Sequence, residues 1–91
     1  MGAISLSDAH KKRTTVEIYG QQYIILGTES ADHVRLVASE VDEKMREISS
    51  MNPSLNSSKL AVLTAVNAVN DYIKIKDQLE KLESELKRVK D

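Results

Sequence analysis

No glycine or proline interrupts the 33 residues from Lys59 to Asp91, and no other feature of this sequence restricts its fold as strongly. A run of that length without a helix breaker reads as one helix, about 50 Å long at 1.5 Å per residue. In a chain of 91 residues, that is more helix than the remainder can cover. Its first half is apolar on nearly every side, through Leu60, Ala61, Val62, Leu63, Ala65, Val66, Ala68, Val69, Tyr72, Ile73 and Ile75. A helix apolar all round needs burial on several faces. The second half narrows to the seam Tyr72, Ile75, Leu79, Leu82, Leu86 and Val89, whose alternating steps of three and four are the heptad rhythm of a coiled coil.

A partner helix is therefore expected, with self-association carried by Leu60, Leu63, Val66, Tyr72, Ile75, Leu79, Leu82, Leu86 and Val89. Placing heptad position a at Tyr72, Leu79 and Leu86 puts Asp71, Gln78 and Glu85 at g and Lys76, Glu83 and Lys90 at e. A parallel dimer would then pair Asp71 with Lys76 and Glu85 with Lys90, and leave Gln78 with Glu83 neutral. An antiparallel pairing of Lys76 with Glu83 stays open, because exposed ion pairs are worth only about 0 to 1 kcal/mol. Asn67 and Asn70 interrupt the apolar half; they either occupy its wetter side or fix register, as buried Asn does in coiled coils.

Upstream, Thr14 to Tyr19 alternates Val16 and Ile18 with Thr15, Glu17 and Tyr19, which is strand period. Gly20-Gln21 follows as a type II′ turn, and Gln22 to Leu26 supplies a second strand ending at Gly27. Two strands alone are marginal in water, so this hairpin needs a support. Thr28 and Ser30 are both N-cap candidates for a first helix. Its apolar stripe is Val34, Ala38, Val41, Met45 and Ile48, widened by Val37, with Arg35, Ser39, Asp42, Glu43, Arg46 and Glu47 opposite. Glu40–Lys44 and Asp42–Arg46 have the spacing of local helix pairs. The loop Ser49 to Asn56, with Pro53 pushing Asn52 out of helical geometry, separates the two helices, the second starting near Ser57 or Ser58.

The expected fold class is thus α+β: a short β-hairpin, an amphipathic helix and a long helix extending into a coiled coil, dimerising through a shared core. The expected layout is a disordered tail over 1–13, a ββαα head over 14–71 and a coiled-coil stalk over 72–91. Small chains bury a modest fraction of their surface and often need a further staple. With no cysteine, disulfides and thiolate metal sites are excluded, and self-association is the remaining route.

Catalytic chemistry has no foothold. His10 and His33 have no ligand set around them, so no metal is expected. Asp42 and Glu43, and Glu80, Glu83 and Glu85, lie on polar helix faces beside basic residues rather than in a concave desolvated setting. Three glycines, at 2, 20 and 27, build no phosphate-cradling loop, so no cofactor and no small-molecule substrate are expected, and the chain reads as no enzyme. Thirteen basic against fourteen acidic residues argues against nucleic acid held by counterion release. Lys11, Lys12 and Arg13 read as a solubilising lead-in. The apolar runs at Tyr23 to Leu26 and Leu60 to Leu63 are far below the roughly 20 residues of a membrane span, and the first ten residues lack the pattern of a secretory signal.

Two stretches, Val16-Glu17-Ile18-Tyr19-Gly20-Gln21-Gln22-Tyr23 and Lys59-Leu60-Ala61-Val62-Leu63-Thr64-Ala65-Val66-Asn67, together with the order hairpin, helix, Asn-Pro loop and long helix, resemble the ZapA family of bacterial cell division proteins. The resemblance covers about residues 14 to 91 and is to a short, Gram-positive-like member. It implies a ββαα head that dimerises, a stalk, and in some members tetramers formed by antiparallel pairing of stalks. It also implies a cytoplasmic scaffold at the mid-cell division site, which binds FtsZ filaments, cross-links or bundles them and promotes assembly of the division ring. Charged head residues are implied for the FtsZ contact, and here the candidates are Lys44, Arg46, Glu47 and Lys59. Where relatives often carry Arg after the hairpin glycine, this chain has Gln21. The competing reading is a small helical adaptor or a nucleic-acid-associated dimer, which would need a clear positive face; Glu17 in the first strand works against it.

Overall fold

In the computed structural model, which describes residues 4–5 and 12–90, helix α1 (Ala31–Met51) is the hub. It packs on strand β2 (Lys12–Ile18) on one side and on helix α2 (Ser57–Lys90) on the other, and no contact of comparable size joins α2 to the sheet. The sheet has three strands in the order β1-β3-β2, with β3 (Gln21–Gly27) antiparallel to β2 and the two-residue β1 (Ile4–Ser5) parallel to β3.

The alternation expected in the first strand is present, with Thr14 and Val16 buried, Ile18 half-buried, and Arg13, Thr15 and Glu17 exposed. Val16 pairs with Tyr23 and Thr14 with Ile25, so one face of the ribbon is apolar. That face meets the helix stripe in a core of Val16, Ile25, Val34 and Ala38, flanked by Ile18 and Tyr23.

The hairpin turns one residue earlier than the type II′ reading has it. Ile18 pairs with Gln21, so the central residues are Tyr19 and Gly20, and both have positive φ, 51° and 79°. That is the type I′ pattern, whose twist matches the strands it joins. Strand also extends further toward the N-terminus than expected: β2 begins at Lys12, and Ile4–Ser5 adds β1. The rest of the expected disordered tail lies outside the described residues.

Ser30, rather than Thr28, caps α1. Its Oγ accepts the His33 N–H at 3.2 Å, and its carbonyl accepts the Val34 N–H at 3.0 Å. At the other end Asn52 donates to the Ile48 carbonyl through both its backbone N–H and its Nδ2, each at 3.0 Å. Its backbone, φ −136° and ψ 67°, lies outside the helical region, which a following proline disfavours. Asn56 then caps α2, its Oδ1 accepting the Lys59 N–H at 2.9 Å and its carbonyl the Leu60 N–H at 2.9 Å.

Along α2 the environment changes within a few turns. Leu60 is 2% exposed and Thr64 is buried, its Oγ1 donating to the Leu60 carbonyl at 2.7 Å. Leu63 and Asn67 are half-buried, Asn70 is exposed, and every residue from Tyr72 to Val89 is exposed. Leu60 is therefore covered by its own chain, whereas Val66 and the residues from Tyr72 to Val89 are exposed.

Candidate interaction surfaces

The hairpin tip is held to α1 by a four-residue clamp. Asp42 Oδ1 accepts the Tyr19 N–H at 2.7 Å, and its Oδ2 accepts Arg46 Nε at 2.9 Å. The Arg46 guanidinium lies 5.6 Å from the centre of the Tyr19 ring, within cation–π range, and the Tyr19 hydroxyl shares a 2.9 Å hydrogen bond with Ser49 Oγ. These contacts hold Tyr19 at a φ that costs a residue with a Cβ about 1 to 2 kcal/mol. The Arg46 hydrogen bond, then the Tyr19 N–H, holds the Asp42 carboxyl below its ordinary value of 3.8, and Asp42 raises Arg46 above its own.

A second tie joins the helices. Lys44 Nζ donates to Asp71 Oδ2 at 2.8 Å, lowering the Asp71 carboxyl and raising the Lys44 ammonium. The expected helix pair Asp42–Arg46 is present, whereas the ion pair of Lys44 is with Asp71 on the other helix rather than with Glu40. That contact also engages Asp71, the residue assigned to pair with Lys76 of a partner chain.

The four residues proposed for a partner contact do not form one cluster. Lys44 and Glu47 share a shallow surface with Glu40 and Glu43. Arg46, two residues on from Lys44 and so about 200° round the helix, lines a 360 Å³ groove with Thr15, Glu17, Arg35, Ser39 and Asp42. Lys59 stands at the start of α2. Lys44 and Arg46 are in ion pairs within the chain; among the described residues the side chains of Glu47 and Lys59 have no ion pair.

Two less polar grooves also lie among the described residues. One, of 400 Å³, runs between the helices over Val41, Ala68, Tyr72 and Ile75 and is rimmed by Glu40, Lys44 and Asp71. The other, of 420 Å³, lies between the inner face of the sheet and α1, over Val16, Ile18, Ile25, Val34, Val37 and Val41, with Glu29 and His33 at its edge. Residue types alone did not reveal this second groove; the one hint was Val37, which broadened the helix stripe beyond what a single sheet covers. Among the described residues no group of three or more His, Cys, Asp or Glu is placed to hold a metal ion, and no helix is long and apolar enough to cross a membrane.

Residues 14–91 match the family model described as Cell division protein ZapA. The chain belongs to the ZapA family. It is 59% identical over 86 residues to Cell division protein ZapA of Geobacillus sp. (strain WCH70), covering 94% of this chain and 99% of that one. With the ZapA of Bacillus pumilus (strain SAFR-032) the identity is 62% over 82 residues, covering 90% and 96%. Among solved structures it is similar to a ZapA mutant dimer from Geobacillus stearothermophilus, at a TM-score of 0.68 and 48% identity over 90% of this chain and 95% of that one. The ZapA match spans both helices and the hairpin, so the clamp and the grooves all lie inside the family's extent.

Proposed function

We propose that this ZapA-family chain is a non-enzymatic division scaffold, which binds FtsZ filaments as a dimer or tetramer at the mid-cell site in the cytoplasm and cross-links or bundles them. The observation that carries the reading is the seam on α2. Tyr72, Ile75, Leu79, Leu82, Leu86 and Val89 are each more than half exposed, on a helix face that otherwise carries charge. A contiguous apolar surface of that kind marks an interaction site, and its heptad spacing calls for another helix. The Lys44–Asp71 tie supports a boundary at residue 71, with a head over 14–71 and a stalk over 72–91, since beyond Asp71 the helix is exposed on all sides.

Joining two heads through one stalk gives each assembly two copies of any filament-binding face, and the second contact gains from high effective concentration. The filament-facing residues are drawn from Lys44, Arg46, Glu47 and Lys59, with Glu47 and Lys59 the two whose side chains have no ion pair among the described residues. The test is co-sedimentation with GTP-assembled FtsZ, with molar mass from light scattering on the same sample. Enhanced pelleting with a dimeric or tetrameric mass is expected. A well-formed dimer that leaves FtsZ pelleting unchanged overturns the filament role.

A further inference from the structure

The sheet ends at β2. In the order β1-β3-β2, the outer edge of Lys12–Ile18 has no strand beside it among the described residues. The two-residue turn makes Ile18–Gln21 the closing hydrogen-bonded pair of the hairpin, and such pairs recur at every second residue of an antiparallel ladder. Lys12, Thr14, Val16 and Ile18 therefore turn their backbone polar groups to β3, and Arg13, Thr15 and Glu17 turn theirs outward. An open edge of this kind is a template for another strand unless something blunts it. β2 has no proline, and its register with β3 runs unbroken from Lys12 to Ile18. Beside it lies a groove rather than a cover, the 360 Å³ space walled by Arg35, Ser39, Asp42 and Arg46 of α1.

The charges on this edge match a copy of themselves. Laid antiparallel about a two-fold axis at Thr15, the strand sets Arg13 opposite Glu17 of the second copy, Thr15 opposite Thr15, and Glu17 opposite Arg13. All three side chains are exposed on the outer face, where opposite charges and paired threonines facing each other across strands are favourable. This register also uses every outward amide and carbonyl of the three residues, about six backbone hydrogen bonds. Two-fold registers centred on Arg13 or on Glu17 put like charges face to face, so the pattern selects the one centred on Thr15. On the inner face the same register sets Thr14 beside Val16, both already buried under α1. The α1 wall does not oppose the approach, because it carries both signs, with Arg35 paired to Asp32 at 3.8 Å and Arg46 to Asp42 at 2.9 Å.

We infer that the free edge of β2 pairs antiparallel with the same edge of a second copy of this chain, centred on Thr15, so that two sheets become one across the junction. The contact is separate from the stalk and goes beyond the pairing proposed above. Arg35, Ser39, Asp42 and Arg46 lie nearly half a turn round α1 from Glu40 and Lys44, which look onto α2. One chain can therefore be engaged through α2 and through this edge at once. Two distinct two-fold contacts on one chain join dimers into larger assemblies, which extends the reach of a scaffold beyond the two heads of one dimer.

Facing residues of a hydrogen-bonded pair stand about 5.5 Å apart between Cα atoms, which a disulfide spans without strain. The chain has no cysteine of its own, so Thr15→Cys in the full-length chain reports the junction directly. Ser54→Cys, also exposed, in the loop between the helices, is the comparison. Mild oxidation is expected to link Thr15→Cys chains in pairs several-fold faster than Ser54→Cys chains. Linking no faster than the comparison overturns the edge pairing. Light scattering on the reduced protein keeps the two contacts apart: a dimeric or tetrameric mass beside that failure leaves stalk pairing standing, whereas fast linking of a chain whose reduced mass is monomeric upholds the edge contact and overturns the stalk.

Charge exchange in the Thr15→Cys chain tests the register. Arg13→Glu sets Glu against Glu17 and Glu17→Arg sets Arg against Arg13, and each is expected to slow linking by about tenfold. The double variant, Arg13→Glu with Glu17→Arg, restores opposed charges at unchanged net charge and should recover the original rate. Equal rates in all of them overturn the proposal, as does a double variant as slow as the singles. Slow linking throughout, with FtsZ pelleting lowered by both single exchanges, also overturns it and gives the edge to the filament instead.

Discussion

The head and the stalk use the same aliphatic vocabulary to opposite ends. In the head, Val16, Ile25, Val34 and Ala38 close on one another within a single chain, and the Tyr19–Asp42 hydrogen bond and the Lys44–Asp71 ion pair tie the hairpin and α2 to the same helix. In the stalk, leucines of equal size at 79, 82 and 86 stand in solvent. The difference is geometric. A hairpin and an amphipathic helix each have one apolar face, so two elements suffice to hide both, whereas a helix running on alone has nothing of its own chain beside it. The head can therefore fold before it associates, and the far end of the stalk cannot be stable without a second chain, since an isolated helix in water draws little stability from propensity alone.

The most direct way to break that contrast is to charge the seam. Leu79→Asp with Leu86→Asp removes two leucines from each chain of a pair, each worth about 1.5 to 3 kcal/mol when buried. At about 1.4 kcal/mol per factor of ten, the dissociation constant should rise by on the order of a thousandfold or more. Light scattering should show lower mass at micromolar concentration, and far-UV circular dichroism should show loss of helix, while the head's hydrogen-exchange protection persists. Unchanged mass would remove the seam from the account.

The converse substitution, Leu60→Ala, strikes the one side chain of α2 that the head has taken into its own core. Truncating a buried leucine costs about 2 to 5 kcal/mol, so denaturant unfolding of the seam-charged variant should lose that amount in the head. A loss below about 1 kcal/mol would mean that Leu60 relaxes to the surface and that the division between the two regions lies further along α2.

How far this contrast was legible in the sequence depends on the range of the interaction involved. Strand alternation at Val16 and Ile18 and the stripe from Val34 to Ile48 are repeats within one element, and each appears in the structure where periodicity puts it; the residues of the proposed seam lie exposed on α2. The features that were not legible are pairings across elements. Local spacing assigns Lys44 to Glu40, but the fold brings Asp71 to 2.8 Å, and an interhelical partner displaces a neighbour on the same face. The turn is a sharper case. Gly20 alone suits a type II′ turn; Tyr19 adopts positive φ because Asp42 and Ser49, 23 and 30 residues away, hold its amide and hydroxyl. The proposed filament-facing residues scatter for the same reason. Charge type identified Lys44 and Arg46 as candidates; helix spacing already paired Arg46 with Asp42, whereas only the fold shows that Lys44 is engaged by Asp71.

That engagement separates two charge reversals which the sequence treats alike. Arg46→Glu sets a carboxylate beside Asp42 and removes the cation over the Tyr19 ring, so the head should melt a few degrees lower and any change in FtsZ pelleting will carry that loss with it. Lys59→Glu places negative charge at the start of α2, where the helix dipole favours it. Its melting temperature should hold or rise slightly, so a fall in pelleting would report the filament contact alone. Gly20→Ala isolates the backbone part of the clamp. A Cβ there meets nothing within 4 Å, so its cost is conformational, about 1 kcal/mol, read as a lower head melting temperature with the dimer constant unchanged.

Acidity gives the smallest effect, because both ion pairs are partly solvated and such pairs contribute little. Asp42 and Asp71 have their carboxyls held below the ordinary 3.8 in the folded chain, by Arg46 first in one case and Lys44 first in the other. Each therefore contributes stability that is present above about pH 4 and lost as the pH falls through the lowered folded value. Lys44 is raised above 10.5, chiefly by Asp71, so its contribution is present below that value and lost as the pH climbs through the raised one. Thermal melts of the seam-charged variant across pH should be flat between these limits and fall at both ends. Asp42→Asn should reduce the acid limb to the share Asp71 carries, leaving the alkaline one. Asp71→Asn should reduce the acid limb and flatten the alkaline one, since it removes a lowered carboxyl and the cause of a raised ammonium together. An alkaline limb that survives Asp71→Asn would mean that the tie between the helices does not hold in solution, and with it would go the boundary it sets between head and stalk.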